Sequence, residues 1–337
     1  ITILLVLAAH TLGIELEMPE IGAGVTLQYE AHLGEDNLDY GYSVPDNKTV
    51  VRHAAIEMEG NIGDRVSYSF EAGSATCVAG GSSFQIMDAS VMLHPVNNLK
   101  LGLAKGHIMR GFQLYSECTN VLTAEKPKFA STFSPCHPTG FVAAYSFSKD
   151  KNIGFDAQLA YLNGVKGTMD EEYDMNLGIM LHSPCRALSV SGFFTSIKQD
   201  YNLTNDPESG MRIGGGAQFT KANIELRAES SWGRAFHSSY PEMESKDLEM
   251  QGLYVESGYH IATEKLGTEY IQPYVRYQSW DKSSNVDSES TWDYLSAGVN
   301  IHLAGSDTKL RIDYEMPISS HDYDEASTLI LRIQTEI

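Results

Sequence analysis

Apolar and polar side chains alternate at every second residue over most of the chain, from about residue 24 to the end. In the stretch LRIDYEM, Leu310, Ile312 and Tyr314 fall on one face, whereas Arg311 and Asp313 fall on the other. A repeat of two residues predicts a β-strand, because successive side chains of a strand point to opposite faces. The segments end at Gly, Asn, Asp, Ser or Lys, which are typical of turns.

The breaks in this alternation predict about sixteen strands, joined by connections that are short and long in turn. We expect strands near residues 24–33, 50–61, 65–75, 84–95, 99–108, 139–149, 152–165, 173–183, 187–200, 210–221, 224–235, 250–263, 269–281, 291–304, 308–318 and 326–337. The longest connection is 109–138. An even number of strands, with short turns on one rim and long loops on the other, is typical of outer-membrane barrels.

A bilayer explains why so many half-apolar strands would occur in one chain. A soluble sheet of this size must bury one face against another layer, whereas a membrane sheet can close on itself with apolar side chains towards lipid. The sequence therefore predicts an all-β fold, a closed antiparallel transmembrane β-barrel with short periplasmic turns and long extracellular loops, in the bacterial outer membrane. Aromatic residues near strand ends, among them Tyr277 and Trp280, are expected at the membrane interfaces.

Composition narrows the possible partners. The chain has 24 Lys and Arg against 44 Asp and Glu, a net charge of −20, so nucleic acid is not an expected partner. After the first dozen residues no apolar run approaches the roughly 18 residues that a membrane helix needs. The long connections are acidic, which predicts contact with outer-membrane lipid and with lipopolysaccharide through bridging divalent ions.

The first residues, 1–13, are apolar and resemble the remnant of a secretory signal peptide, which leaves 14–337 as a single barrel domain. Export would place the four cysteines in an oxidising compartment, where Cys118 and Cys136 are close enough in sequence to form a disulfide. No Cys or His spacing is typical of zinc or haem sites, so we expect neither a metal nor a cofactor.

Two stretches resemble the phosphate-selective porin family, the O and P porins of Gram-negative outer membranes. They are LKLGLAKGHIMRGFQLYSE (99–117) and YIQPYVRYQSWDKSSNVDSESTWDYLSAGVNIHL (270–303), with a following RIDYE strand at 311–315 and a weaker YLNG match at 161–164. The resemblance implies a sixteen-stranded general or anion-preferring porin, commonly a homotrimer, with a long third loop folded into the lumen. The chain departs from the family because it is poor in Lys and Arg, so we expect weak cation preference or none.

In a channel of this kind, selectivity depends on lumen-facing charges and on whatever narrows the bore. The third loop, 109–138, and the polar faces of the strands supply the candidate constriction and lumen residues. They are Arg110, Tyr115, Glu117, Glu125, Lys126, Lys128, Arg227, Arg276, Arg311 and Asp313. Two alternatives stay open: the loop covers only the outer mouth, or the charges are neutralised pairs that brace the wall.

The function predicted from the sequence is passive diffusion of small polar solutes and ions through a water-filled lumen, without enzymatic activity. One alternative is a plugged structural or adhesin-type barrel, which the sequence does not separate from an open one. Another is an outer-membrane hydrolase, but no G-x-S-x-G motif is present. Asp88 and His94, or Ser320 and His321, are close in sequence without forming a recognisable catalytic pair.

Overall fold

The structure, a computed structural model, describes residues 18–33, 47–75, 84–112, 122–130, 138–148, 153–163, 173–199, 208–234, 249–263, 267–281, 291–305, 307–319 and 326–336. The predicted signal remnant at 1–13 lies outside these ranges. Within them, no helix combines the length and hydropathy that a membrane-spanning helix requires.

The described chain forms seventeen β-strands in a single sheet. They are β1 (Glu20–Leu33), β2 (Lys48–Ile62), β3 (Val66–Ala75), β4 (Gln85–Val96), β5 (Leu99–Lys105), β6 (Thr139–Phe147), β7 (Gly154–Asn163), β8 (Tyr173–His182), β9 (Leu188–Gln199), β10 (Glu208–Lys221), β11 (Ile224–Arg234), β12 (Glu249–Tyr259), β13 (Ile261–Ala262), β14 (Thr268–Asp281), β15 (Thr291–Leu303), β16 (Lys309–Pro317) and β17 (Ser327–Glu336). Both β12 and β13 pair with β14, and only His260 separates them, so together they make one transmembrane strand. The wall therefore has sixteen transmembrane strands.

The sheet closes on itself. Each transmembrane strand pairs antiparallel with the next, and β1 pairs both with β2 and with β17, from Gly24 opposite Glu336 to Leu33 opposite Ser327. Closure leaves no edge whose backbone N–H and C=O groups would lack partners in lipid. The predicted sixteen-stranded closed barrel is thus confirmed, and the largest difference in strand bounds is at β1, which begins at Glu20 rather than 24.

The connections alternate in length as predicted. On one rim they are short, such as the 3-10 turn Gly63–Arg65 between β2 and β3 and the two-residue turn at 222–223 between β10 and β11. Ala222 in that turn has a φ of 52°, the left-handed conformation that tight hairpins use to follow the twist of their strands. The other rim carries the long connections, the longest of which joins β5 to β6.

Apolar side chains cover the outside of the barrel, and polar ones line its inside. Leu177 and Ile312 are 43% and 44% exposed on the outer face, whereas Arg311, next to Ile312, is 1% exposed on the inner face. A soluble protein rarely exposes such a continuous apolar surface, but lipid hydrocarbon covers it at no cost. The prediction for Trp280 was wrong: it packs inside the barrel beside Phe129 and Met250, because it shares the inward face of β14.

Cys185 offers a test of which rim faces the periplasm. It is exposed in the short connection between β8 and β9, and a hydrogen bond from the backbone of Ala187 lowers the pKa of its thiol, which favours alkylation. In cells that express a variant in which the other three cysteines are serine, we expect a polymer-linked maleimide to label Cys185 only after the outer membrane is permeabilised.

The matched control replaces all four native cysteines by serine and introduces a single cysteine by Asp206→Cys. Residue 206 belongs to the long connection between β9 and β10. This cysteine should react in intact cells with the same reagent. Labelling of Cys185 in intact cells would place the short turns outside and contradict the orientation.

Candidate functional site

Residues 106–138, here called the inserted segment, join β5 to β6, and the described parts of the segment turn inward from the wall. The base of the segment is closed by a hydrogen bond from the Gly106 N–H to the Pro138 carbonyl, at 3.1 Å. The structure describes two parts of it, 106–112 and 122–130, and both pack against inward-facing side chains of the barrel. Because these two parts lie inside the bore, the segment is the candidate for the element that controls passage.

The first part of the segment lies against β7 and β8. Gln158 on β7 accepts a hydrogen bond from the Met109 N–H at 2.7 Å, and Asn176 on β8 donates one to the Met109 carbonyl at 3.0 Å. Arg110 donates to the Asn176 side chain and lies 3.7 Å from the Asp174 carboxylate. These side chains satisfy backbone groups that would otherwise be buried without partners.

The same part continues to β11. The Phe112 N–H donates to the Glu229 carboxylate, which also accepts a hydrogen bond from the Tyr254 hydroxyl on β12. Gly178, on the inward face of β8, leaves the space that Met109 occupies: a Cβ there would come within 2.3 Å of the Met109 carbonyl. A side chain at this point of the wall would displace the segment.

The second part of the segment lies against the far side of the barrel. Asn300 on β15 donates to the Leu122 carbonyl at 2.8 Å, and Arg311 on β16 donates to the Thr123 carbonyl at 2.9 Å. Asp313 accepts from the Ala124 N–H at 2.9 Å. Since β7 and β8 lie eight transmembrane strands away from β16 and β17, the two described parts together make a crossing of the bore, with contacts on opposite walls.

Glu125 fixes the end of this crossing at the seam where the barrel closes. Its carboxylate accepts hydrogen bonds from Gln28 on β1 at 2.7 Å, from Arg332 on β17 at 3.1 Å, and from Arg52 on β2. Its backbone carbonyl accepts from Arg276 on β14 at 2.7 Å. One residue of the inserted segment thus contacts both strands that form the closing pair.

A β-bulge lets β2 contribute to this seam. Thr26 is paired with His53 and Leu27 with Val51, so Arg52 is the extra residue on β2. A bulge changes the direction of one side chain relative to strict alternation. As a result Arg52 reaches Glu125, while its neighbour His53 also contacts an inward-facing carboxylate, Glu71, at 2.8 Å.

An apolar contact and an ion pair hold residues 128–130. Lys128 lies 2.9 Å from the Glu315 carboxylate on β16 and 5.0 Å from the centre of the Tyr294 ring on β15. Phe129 is fully buried against Met250 and Tyr254 on β12. A Cβ at Gly252 would come within 2.2 Å of the Phe129 ring, so this glycine provides the space for the aromatic side chain.

Water reaches the inward-facing charges to different degrees in different parts of the barrel. Four arginines are at most 1% exposed: Arg110, Arg212, Arg276 and Arg311. By contrast, a hollow of about 500 Å³ on the inner side of β1 to β4 is lined by the carboxylates of Glu20, Glu57, Glu59, Glu71 and Asp88, and by no Lys, Arg or His. Solutes that enter this hollow therefore meet carboxylates.

The structure brings most of the sequence-predicted site residues to this crossing. Arg110, Glu125, Lys126 and Lys128 lie in its described parts, and Arg276, Arg311 and Asp313 contact it from the wall. Arg227 faces inward and forms ion pairs with Glu225 on the same strand and with Glu256 on β12. Tyr115, Glu117 and the Cys118–Cys136 disulfide candidate lie outside the described residues.

Sequence reasoning missed the uncharged side chains that hold the segment. Gln28, Gln158, Asn176 and Asn300 are all buried amides on inward faces, and each bonds to the segment. Their signal in the sequence was the same period of two that marked the charges. An amide can both donate and accept a hydrogen bond, so it suits irregular backbone better than a charge does.

The contacts of Glu125 predict that it stabilises both the segment and the seam. Replacing it by glutamine removes the negative charge that faces Arg52 and Arg332, which should lower the free energy of unfolding by about 2 kcal/mol. We expect E125Q to convert from the folded to the unfolded gel band at a lower temperature in SDS, and to show larger current fluctuations. The control E20Q removes an exposed inward-facing carboxylate, and its unfolding temperature in SDS and its current fluctuations should match those of the unmodified protein. If E125Q also matched the unmodified protein in both measurements, Glu125 would not stabilise the segment and the seam.

Comparison with known proteins shows the fold. No family model matches the chain, and no curated protein matches it in sequence. Similar solved structures include OmpF of Salmonella typhi in complex with daunomycin, with a TM-score of 0.61 and 13% identity over 96% of this chain and 100% of that chain. An anion-selective porin from Comamonas acidovorans has a TM-score of 0.61 and 11% identity over 96% and 100%. In vitro folded OmpT of Vibrio cholerae, an outer membrane protein in its trimer form, has a TM-score of 0.58 and 10% identity over 95% of this chain and 99% of that chain. The chain thus has the fold of outer-membrane porins, which with its apolar outer face indicates the bacterial outer membrane.

Proposed function

We propose that the protein is an outer-membrane porin through which small polar solutes and ions diffuse passively, with a weak preference for cations. The barrel fold that it shares with porins supports passage through a lumen. A narrowed path is supported by the described parts of the inserted segment, which contact opposite walls of the bore. Met109 bonds to Gln158 on β7, and Ala124 bonds to Asp313 on β16. Passive diffusion requires no catalysis, so this function assigns no catalytic residue.

The observation that carries the cation preference is the hollow beside β1 to β4, which is lined by exposed carboxylates and by no basic side chain. Arg276 and Arg311 are used to hold the inserted segment and are covered by it. Glu20, Glu57 and Glu59 are exposed and line the hollow beside β1 to β4. Carboxylates along a path with low-dielectric walls raise the local concentration of cations.

The preference is weak because these carboxylates are hydrated and spread along the wall. Within the described ranges, no three His, Cys, Asp or Glu residues are arranged to hold a metal ion. The charges therefore act as a diffuse field, which salt screens over about 10 Å at 0.1 M. A cation would be attracted into the bore without being bound tightly, as passage requires.

The narrower relationship to phosphate-selective porins stays a prediction from the resemblance at 99–117 and 270–303. Anion selection needs basic side chains that solutes can reach. Arg276 within the second stretch contacts Glu315 and the inserted segment instead. We therefore propose a general porin rather than a phosphate-selective one.

Assembly and lipid contacts form part of the same proposal. OmpT of Vibrio cholerae, which has a similar fold, is known in a trimer form. We propose a homotrimer for this chain, embedded in outer-membrane lipid, with its acidic long connections facing lipopolysaccharide.

Reversal potentials in a planar bilayer with a KCl gradient test the proposal. For the unmodified protein we expect a reversal potential whose sign shows that K⁺ is more permeant than Cl⁻. We expect E57Q/E59Q to lower the cation-to-anion permeability ratio by roughly twofold, and not by more, because salt partly screens exposed charges. The matched control D64N/D307N removes two exposed carboxylates from short turns on the same rim and should leave the ratio nearly unchanged.

Three results would contradict the proposal. Clear anion preference would overturn the assignment of sign. An unchanged ratio in E57Q/E59Q would show that the hollow lies off the conducting path. Absence of current from correctly folded protein would favour the plugged barrel.

A further inference from the structure

Three inward-facing side chains on β7, β8 and β9 form a connected set of hydrogen bonds that the transport function does not use. The Ser189 hydroxyl lies 2.7 Å from Nδ1 of His182, and Nε2 of the same ring lies 2.7 Å from the Asp156 carboxylate. The His182 and Asp156 side chains are 16% and 31% exposed. The set lies near the short-turn rim, where β8 ends and β9 begins.

Strand register brings the three side chains together. His182 is directly opposite Ser189 across the β8–β9 pair, and opposite Gly154 across the β7–β8 pair. Asp156 is two residues further along β7, on the same inward face as Gly154. Gly154 has no side chain, so the imidazole lies over it: a Cβ there would be 3.2 Å from that of His182.

The chemistry of the groups fixes the direction of the hydrogen bonds. An ionised carboxylate only accepts hydrogen bonds, so the Nε2–H of His182 donates to the Asp156 carboxylate. Nδ1 of the neutral ring is then an acceptor, and the Ser189 hydroxyl donates to it. A serine that donates to an imidazole, which in turn donates to a carboxylate, has the connectivity of an activated serine nucleophile. The two ring nitrogens are exchanged relative to the serine proteases, but either nitrogen of imidazole can take the proton.

We propose that Ser189 is a nucleophilic serine, with His182 as its base and Asp156 orienting the ring, that attacks small uncharged carboxylic esters diffusing through the lumen. The site goes beyond passive transport and does not depend on charge selectivity. It needs only that small molecules reach the inner face of β8 and β9 from one mouth of the barrel.

The reaction balances without a cofactor. The Ser189 oxygen forms a bond to the ester carbonyl carbon, its proton passes to Nδ1 of His182, and the alcohol leaves with that proton as the C–O bond of the ester breaks. Water then attacks the acylated serine, gives a proton to the ring, and releases the carboxylic acid as Ser189 recovers its hydrogen. Asp156 stabilises the imidazolium in both steps.

The barrel contains a natural comparison for this set. Ser67 on β3 lies 2.8 Å from Nε2 of His94 on β4, a similar serine–histidine contact on the inner face. Among the described residues, no carboxylate contacts the other ring nitrogen of His94. Ser67 should therefore be much less reactive than Ser189, although both are serines beside a histidine in the same lumen.

A fluorophosphonate probe tests the proposal in the full-length protein reconstituted into vesicles. The serine oxygen displaces fluoride from phosphorus, and peptide mass spectrometry locates the adduct. We expect the adduct at Ser189 and not at Ser67, no adduct at this peptide in S189A, and a labelling rate at least about a hundredfold lower in H182Q. D156N should reduce the labelling rate by about tenfold or more.

Hydrolysis of p-nitrophenyl acetate by the same vesicles should be lost in S189A and retained in S67A. Conductance serves as the folding control and should be the same in S189A as in the unmodified protein. Equal labelling of Ser67 and Ser189, or labelling at neither serine in a conducting protein, would overturn the proposal while leaving the porin function intact. If the folded, unmodified protein showed no conductance, that result would instead count against the porin function.

Discussion

The absence of water in lipid hydrocarbon is the constraint on which the rest of this structure depends. Each backbone N–H and C=O group in the membrane needs a partner within the protein, and a sheet meets that demand only when its first and last strands pair. In this chain the pairing runs from Gly24–Glu336 to Leu33–Ser327. Closure then divides every strand into a face for lipid and a face for the lumen, which explains the period of two along the sequence.

The lumen face has two uses that compete for the same wall. Amide and guanidinium side chains, such as Asn176 and Arg311, supply partners for the backbone of the inserted segment. Carboxylates such as Glu57 and Glu59 instead face a hollow that water can fill. Glu125 links the first use to closure, because it contacts β1, β2 and β17 together. The charge that a solute meets therefore depends on which side chains the segment has covered.

Sequence alternation predicted the strands well because it follows directly from the barrel constraint. It also placed Arg276, Arg311 and Asp313 on the lumen face, but it could not show that the inserted segment would bury them, since that contact joins residues more than a hundred positions apart. For Trp280 the expectation failed, because propensity favours an aromatic residue near a strand end without specifying its face.

The set of Ser189, His182 and Asp156 lies beyond what pattern reading could find. None of the three belongs to a recognisable motif, and the pairs that are close in sequence, such as Asp88 and His94, are not the ones that meet in space. Only the register of β7, β8 and β9 brings these groups to hydrogen-bonding distance. Register follows from cooperative pairing along whole strands, which a local pattern does not determine.

Liposome swelling with uncharged sugars of increasing size tests the central claim most directly, because it detects a hydrated bore independently of its charge. We expect purified protein to let the smallest sugars enter rapidly, with rates that fall steeply as sugar size approaches the width left beside the inserted segment. Vesicles that contain folded protein and yet do not swell in the smallest sugar would contradict a barrel with a water-filled path.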